Sequence, residues 1–60
     1  MTKKQQLFIQ RYFIHRVGNR AAIESGYSPK TATQIAYDLL RKPKIKQKLT
    51  ELLSAVGQEL

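Results

Sequence analysis

The sequence predicts an all-α domain, a compact bundle of about four short helices that contains a helix-turn-helix. Apolar residues recur at three- and four-residue intervals along most of the chain, which is the period of a helix with one buried face. Glycine and proline stand between these segments, where helices end or begin. The apolar run at residues 12–14 lies inside a helical pattern, so no strand is predicted.

Length and composition exclude several classes of protein. A chain of 60 residues forms at most one domain. With no cysteine and one histidine, it has neither a disulfide framework nor the ligands of a zinc finger. Its hydrophobic fraction of 42% is too high for a disordered basic tail. No apolar run approaches the roughly 20 residues that span a bilayer, and the N-terminus lacks a signal-peptide pattern.

The first helix is predicted over residues 3–15. Thr2 has the character of an N-cap, and Gln5 follows at the spacing of a capping box. A second, smaller apolar strip on this helix joins Leu7 and Ile14. It indicates either partial burial against a loop or a contact with another subunit or domain.

Two glycines bound the second predicted helix, residues 20–25. We expect Gly18 at the C-terminal end of helix 1 and Asn19 as the N-cap of helix 2. Gly26 should end helix 2 with a positive φ, which glycine adopts without steric cost.

Prolines mark the starts of the third and fourth helices. Ser28 as N-cap and Pro29 at the first helical position predict a helix over residues 29–41. Pro43 ends that helix and opens another over residues 43–56. The predicted core of the four helices consists of Phe8, Ile9, Tyr12, Phe13, Ala22, Ile23, Ala32, Ile35, Ala36, Leu39, Ile45, Leu49, Leu52 and Leu53.

Helices 2 and 3 follow the plan of a helix-turn-helix. Alanines on both helices allow a close crossing, and Gly26 permits the turn. The outer face of helix 3 is polar and suits the major groove of double-stranded DNA, where glutamine pairs with adenine, arginine with guanine, and threonine contacts the thymine methyl. The predicted base-facing residues are Lys30, Thr33, Gln34, Tyr37 and Arg41. The alternative is an ordinary solvated face, although such faces usually carry more glutamate.

The net charge of +7 lies mainly in the two flanks of the chain. A domain with this surplus attracts polyanions, nucleic acid first. Lys44 and Lys46 fall in the first turn of helix 4, where the helix dipole disfavours cations but where a phosphate binds well. We predict phosphate contacts at Arg20, Lys42, Lys44 and Lys46. The alternative is that these side chains only increase solubility.

Other residues that could carry chemistry are isolated. His15 has no second metal-ligating partner and is interpreted as a helix-end residue. Glu24 and Asp38 lie on different predicted helices and do not suggest a catalytic pair. Tyr27 is interpreted as a packing residue beside the turn, with base stacking as a minor alternative. We therefore predict no enzyme, no catalytic or metal-binding residue and no cofactor.

The order of several short motifs resembles the N-terminal domain of phage terminase small subunits. They are Ala-Ala-Ile at 21–23, Gly-Tyr-Ser at 26–28, Thr-Ala at 31–32, and Leu-Leu followed by Lys-Pro within 39–43. The resemblance extends over roughly residues 2–56. Asn19-Arg20 departs from the Asn-Ala that is frequent in the family, which adds a charge near the turn.

This resemblance implies a helix-turn-helix module that recognises the packaging-initiation site on viral double-stranded DNA. It also implies a homo-oligomeric ring and a large subunit as partners, both through regions absent here, so that the domain alone is monomeric. The implied location is the cytoplasm of the bacterial host, without a membrane partner. The alternatives are a helix-turn-helix transcriptional regulator and a basic protein-interaction or oligomerisation module that docks an acidic partner; a membrane-active basic helix is the least favoured.

Overall fold

Four α-helices make up the described part of the chain, as the sequence predicts. The computed structural model describes residues 2–58, and within that range it contains no strand. The helices are α1 (Lys3–His15), α2 (Gly18–Glu24), α3 (Ala32–Arg41) and α4 (Pro43–Ala55). Helices α1 and α3 each pack against both α2 and α4. The all-α fold class is therefore confirmed.

A capping box fixes the start of α1. The Thr2 hydroxyl accepts the backbone N–H of Gln5 at 3.1 Å, and the Gln5 side chain accepts the backbone N–H of Thr2 at 3.1 Å. The two bonds satisfy donors that the first helical turn leaves without a partner. This prediction is confirmed.

The junction between α1 and α2 differs from the prediction. Gly18 is the first residue of α2 rather than the end of α1, and Asn19 lies inside α2 rather than at its N-cap. The C-cap of α1 is Arg16, which adopts the left-handed conformation with φ 60°. Its side chain donates to the Phe13 carbonyl at 3.1 Å and to the side chain of Gln58. These bonds support a conformation that a non-glycine residue otherwise adopts at a cost.

Gly18 is required by close packing between α2 and α3. A Cβ atom at this position would lie 2.9 Å from the Cβ of Ala36, which is buried on α3. That distance is shorter than two carbon atoms tolerate, and neither atom belongs to a flexible side chain. The two helices can approach this closely only because the side chain is absent.

We expect Gly18→Ala to destabilise the domain. Overpacking costs about 1–3 kcal/mol, and the better helix propensity of alanine returns at most about 1 kcal/mol. Urea unfolding followed by circular dichroism measures the loss. The double variant Gly18→Ala/Ala36→Gly should lose less stability than the sum of the two single variants, because the second change removes the clash. If the stability losses of the two single variants simply added in the double variant, the contact between positions 18 and 36 would not be what limits the packing of the two helices.

A Schellman motif ends α2 at Gly26, which has the predicted positive φ, 103°. The Gly26 N–H donates to the Ile23 carbonyl at 3.1 Å, and the Tyr27 N–H donates to the Ala22 carbonyl at 3.1 Å. Tyr27 then packs against the core. The motif reverses the chain direction and satisfies the last carbonyls of the helix.

Helix α3 begins at Ala32, three residues later than predicted. Ser28 and Pro29 start a hydrogen-bonded turn, in which the Thr31 N–H donates to the Ser28 carbonyl at 3.1 Å. The α-helical ladder begins only with the bond from the Ile35 N–H to the Thr31 carbonyl. The connection from α2 to α3 therefore covers residues 25–31, longer than the turn of about 3–4 residues typical of a helix-turn-helix.

Helix α4 starts at Pro43, as predicted, and its last helical residue is Ala55. Gly57 with φ 75° follows it. The Gln58 N–H donates to the Leu53 carbonyl at 2.8 Å, which makes a second Schellman motif.

One member of the predicted core is wrong. The side chain of Ile23 is 39% exposed, whereas Ala21, which the predicted core omits, is completely buried. Successive residues of a helix point about 100° apart, so α2 directs Ala21 and Ala22 towards the core and leaves Ile23 on the outside. Ile14 is also exposed, by 62%. The buried apolar residues are Phe8, Ile9, Ala21, Ala22, Ala32, Ala36, Leu39, Ile45, Leu49 and Leu53.

The predicted core residues that remain are partly buried. Three of them, Tyr12, Ile35 and Leu52, pack against the core, and Phe13 is half-buried.

Candidate nucleic-acid interface

The outer face of α3 carries four of the five residues predicted to face bases. All four are exposed, opposite the buried side of the helix at Ala32, Ala36 and Leu39. The fifth, Lys30, is exposed in the turn before α3 rather than on the helix itself. The four helical residues are Thr33, Gln34, Tyr37 and Arg41.

Side chains of α3 itself hold three of these four residues. The Gln34 amide donates to the Asp38 carboxylate at 3.1 Å, one turn further along α3. The guanidinium of Arg41 lies over the ring of Tyr37, 5.5 Å from its centroid. This cation–π contact keeps a mostly exposed aromatic ring beside a positive charge.

Asn19 joins this surface from α2, a role that the sequence did not reveal. Its side-chain amide donates to the hydroxyl of Thr33 at 2.8 Å. The sequence prediction placed Asn19 at an N-cap because asparagine favours that position. The two helices meet here through tertiary packing, and no local pattern in the sequence predicts that pairing.

Exposed lysines surround the start of α4. Lys42 is its N-cap residue, and Lys44 and Lys46 follow in or next to the first turn. That turn contains no acidic residue, and Lys42 makes no side-chain capping bond. Between Thr2 and Gln58, no ion pair engages any of the three lysines. Their charges and the backbone N–H groups of the turn can therefore face an anion together.

Arg20, also predicted to contact phosphate, is held by an acidic residue. Its Nε lies 3.0 Å from a carboxylate oxygen of Glu24, one turn along α2. His15 Nε2 lies 3.0 Å and Arg11 Nε lies 3.7 Å from the other oxygen. Glu24 thus links α1 to α2. The four-residue spacing to Arg20 was visible in the sequence, but the approach of α1 was not.

The hydrogen bond from Arg20, followed by that from His15, lowers the pKa of Glu24 below its usual value of 4.5. A carboxyl whose folded pKa is depressed stabilises the fold above its unfolded pKa, and this stabilisation is lost as the pH falls through the folded value.

In Glu24→Gln, the free energy of unfolding should therefore fall less as the pH is lowered. Urea midpoints at about pH 6 and about pH 3 measure the change in the wild type and the variant. We expect the wild type to lose more stability between these pH values than Glu24→Gln does. An equal loss in both proteins would mean that Glu24 contributes nothing to acid sensitivity.

Within residues 2–58 there is neither a cluster of metal-ligating side chains nor a helix that could span a membrane. No group of three or more His, Cys, Asp or Glu side chains in this range is placed to hold a metal ion. None of the described helices has both the length and the apolarity needed to cross a membrane.

The fold and this surface define a small, basic, all-helical domain with a polar helix face beside a cationic helix start. The sequence profile of the terminase small subunit family matches residues 1–60. The terminase small subunit of Bacillus phage SPP1 is 34% identical over 59 residues, 97% of this chain and 40% of that protein. That of Staphylococcus phage 80alpha is 37% identical over 60 residues, 98% of this chain and 41% of that protein.

The chain therefore belongs to the terminase small subunit family. It spans about two fifths of the length of these curated relatives. No solved structure matches it significantly.

Proposed function

We propose that this domain binds double-stranded DNA and recognises the site at which packaging of a viral genome begins. The observation that carries the proposal is the exposed polar face of α3, which runs directly into the lysines at the start of α4. Polar side chains on a helix read base edges in the major groove, and cations beside it neutralise phosphates.

In this arrangement α2 and α3 act as a helix-turn-helix with an extended connection. Helix α3 enters the major groove with Thr33, Gln34, Tyr37 and Arg41, while Lys30 approaches from the preceding turn. Lys42, Lys44 and Lys46 contact the phosphate backbone. Arg20 adds to these contacts only where a phosphate competes with Glu24 for its guanidinium, since the two now form an ion pair.

Family membership supports the remaining parts of the proposal. The domain does no catalysis itself and needs no cofactor. The longer protein assembles a homo-oligomeric ring and engages the large terminase subunit in the cytoplasm of the bacterial host, and the domain alone is monomeric. A ring would raise the affinity of a weakly binding domain through the effective concentration of its copies.

Titration of the ¹⁵N-labelled chain with duplex DNA at low salt tests this proposal. We expect resonances of the outer face of α3 and of residues 42–46 to shift, and binding to weaken with salt with a slope of about −0.9 per phosphate neutralised. Shifts confined to α1 would contradict the interface. Oligomers in sedimentation together with no DNA binding at low salt would favour the protein-interaction alternative.

A further inference from the structure

An acidic residue, Asp38, lies on the helix that we propose to enter the major groove. It is exposed, and it accepts a hydrogen bond from the Gln34 amide at 3.1 Å. Phosphates repel a negative charge on a DNA-binding face, so an acidic residue there weakens binding unless it has another role. Asp38 lies one turn after Gln34, and orienting the Gln34 side chain is the role that compensates for this repulsion.

The hydrogen bond fixes which way the Gln34 amide points. An ionised carboxylate only accepts hydrogen bonds, so it holds the NH₂ end of the amide. The flipped amide would bring its oxygen against the carboxylate. The carbonyl oxygen and the second amide proton of Gln34 remain available, and this acceptor–donor pair is what a glutamine uses to bind adenine at N6 and N7.

We propose that Asp38 is a positioning residue that sets Gln34 to read adenine. This inference rests on the proposed function, because it assigns the base chemistry of the same helix face. The same principle operates at Thr33, whose hydroxyl accepts a hydrogen bond from the Asn19 amide and can still donate its own hydrogen. Side chains held in this way before binding lose less conformational freedom on the DNA.

Selection from a pool of randomised DNA duplexes tests this proposal with four proteins: the wild type, Gln34→Ala, Asp38→Asn and Glu51→Gln. Asp38→Asn is isosteric, but its amide accepts Gln34 in either orientation. Glu51→Gln is the matched control, since it also converts an acid into an amide. Glu51 lies on α4 and pairs with Lys48 at 3.8 Å.

We expect the wild type to prefer adenine at one position by roughly 5- to 150-fold. Gln34→Ala and Asp38→Asn should both reduce the preference at that same position to roughly threefold or less, whereas Glu51→Gln should keep it. Asp38→Asn should still bind duplex DNA overall, because it removes a repulsive charge.

Three results would overturn the proposal. Asp38→Asn could keep the full preference, the two variants could affect different positions, or the wild type could select a base other than adenine there. Each leaves DNA binding itself intact. Failure of the wild type to bind any duplex at low salt would instead remove the proposed function along with this inference.

A separate measurement without DNA tests the hydrogen bond itself. The side-chain amide resonances of Gln34 should move in Asp38→Asn and stay in place in Glu51→Gln. Unmoved resonances in both variants would show that the bond is not formed in solution, which also overturns the proposal.

Discussion

Phe8→Ala should remove a large part of the free energy of unfolding of the domain. Phe8 is completely buried on α1 and is one of the largest side chains in the core. Truncating a buried phenylalanine costs about 3–5 kcal/mol. The whole stability of a domain of this length is roughly 3–9 kcal/mol, so one side chain accounts for much of it. Far-ultraviolet circular dichroism with urea titration measures the loss.

Ile14→Ala is the matched control, since Ile14 lies on the same helix but is 62% exposed. We expect Ile14→Ala to change the free energy of unfolding by about 0.5 kcal/mol or less. A similar loss in the two variants would mean that Ile14 is covered in solution, as the interpretation of Leu7 and Ile14 as an intersubunit contact requires.

Replacing Lys42, Lys44 and Lys46 together with alanine should greatly weaken DNA binding. If each lysine neutralises one phosphate, the salt slope should fall by about 2.7. At about 0.1 M salt, that slope corresponds to a loss of affinity of roughly 10²–10³-fold. Fluorescence anisotropy with a labelled duplex at several salt concentrations measures both quantities.

The same triple variant should be at least as stable as the wild type. Cations near a helix N-terminus are unfavourable by about 0.3–1 kcal/mol each, so their removal relieves the fold. Lys48→Ala serves as a control on the same helix, because Lys48 already pairs with Glu51 and should change the salt slope less. An unchanged salt slope in the triple variant would show that the three lysines do not contact phosphates. A triple variant less stable than the wild type would contradict the expected relief at the helix N-terminus.

Local chemistry predicts most of the helix ends. The capping box at Thr2, the positive φ at Gly26 and the start of α4 at Pro43 each depend on residues within a few positions, and all three were predicted. Gly18 shows where this reasoning fails. Its sequence neighbourhood is typical of a helix end, but the glycine is needed because Ala36 packs against it from another helix.

In the candidate site, too, features set by nearby residues are predictable from the sequence, and features set by packing between helices are not. The outer face of α3 follows from the period of the helix, since its buried side at Ala32, Ala36 and Leu39 determines what faces outward. The partners of that face are harder to predict. Asp38 lies one turn from Gln34 and was visible as a spacing, whereas Asn19 reaches Thr33 only because α2 and α3 cross. Ile23 was misplaced for the same reason.

Because Gly18 and Ala36 approach so closely, the residues that are tolerated at these two positions depend on each other. The space between the two helices at this point is fixed, so a methyl group added at one of the two positions must be removed at the other. During divergence, an alanine at position 18 would survive chiefly where position 36 had already become glycine. The polar outer face of α3 belongs to one of these two helices, so a substitution at either position alone would shift that face without altering any residue on it.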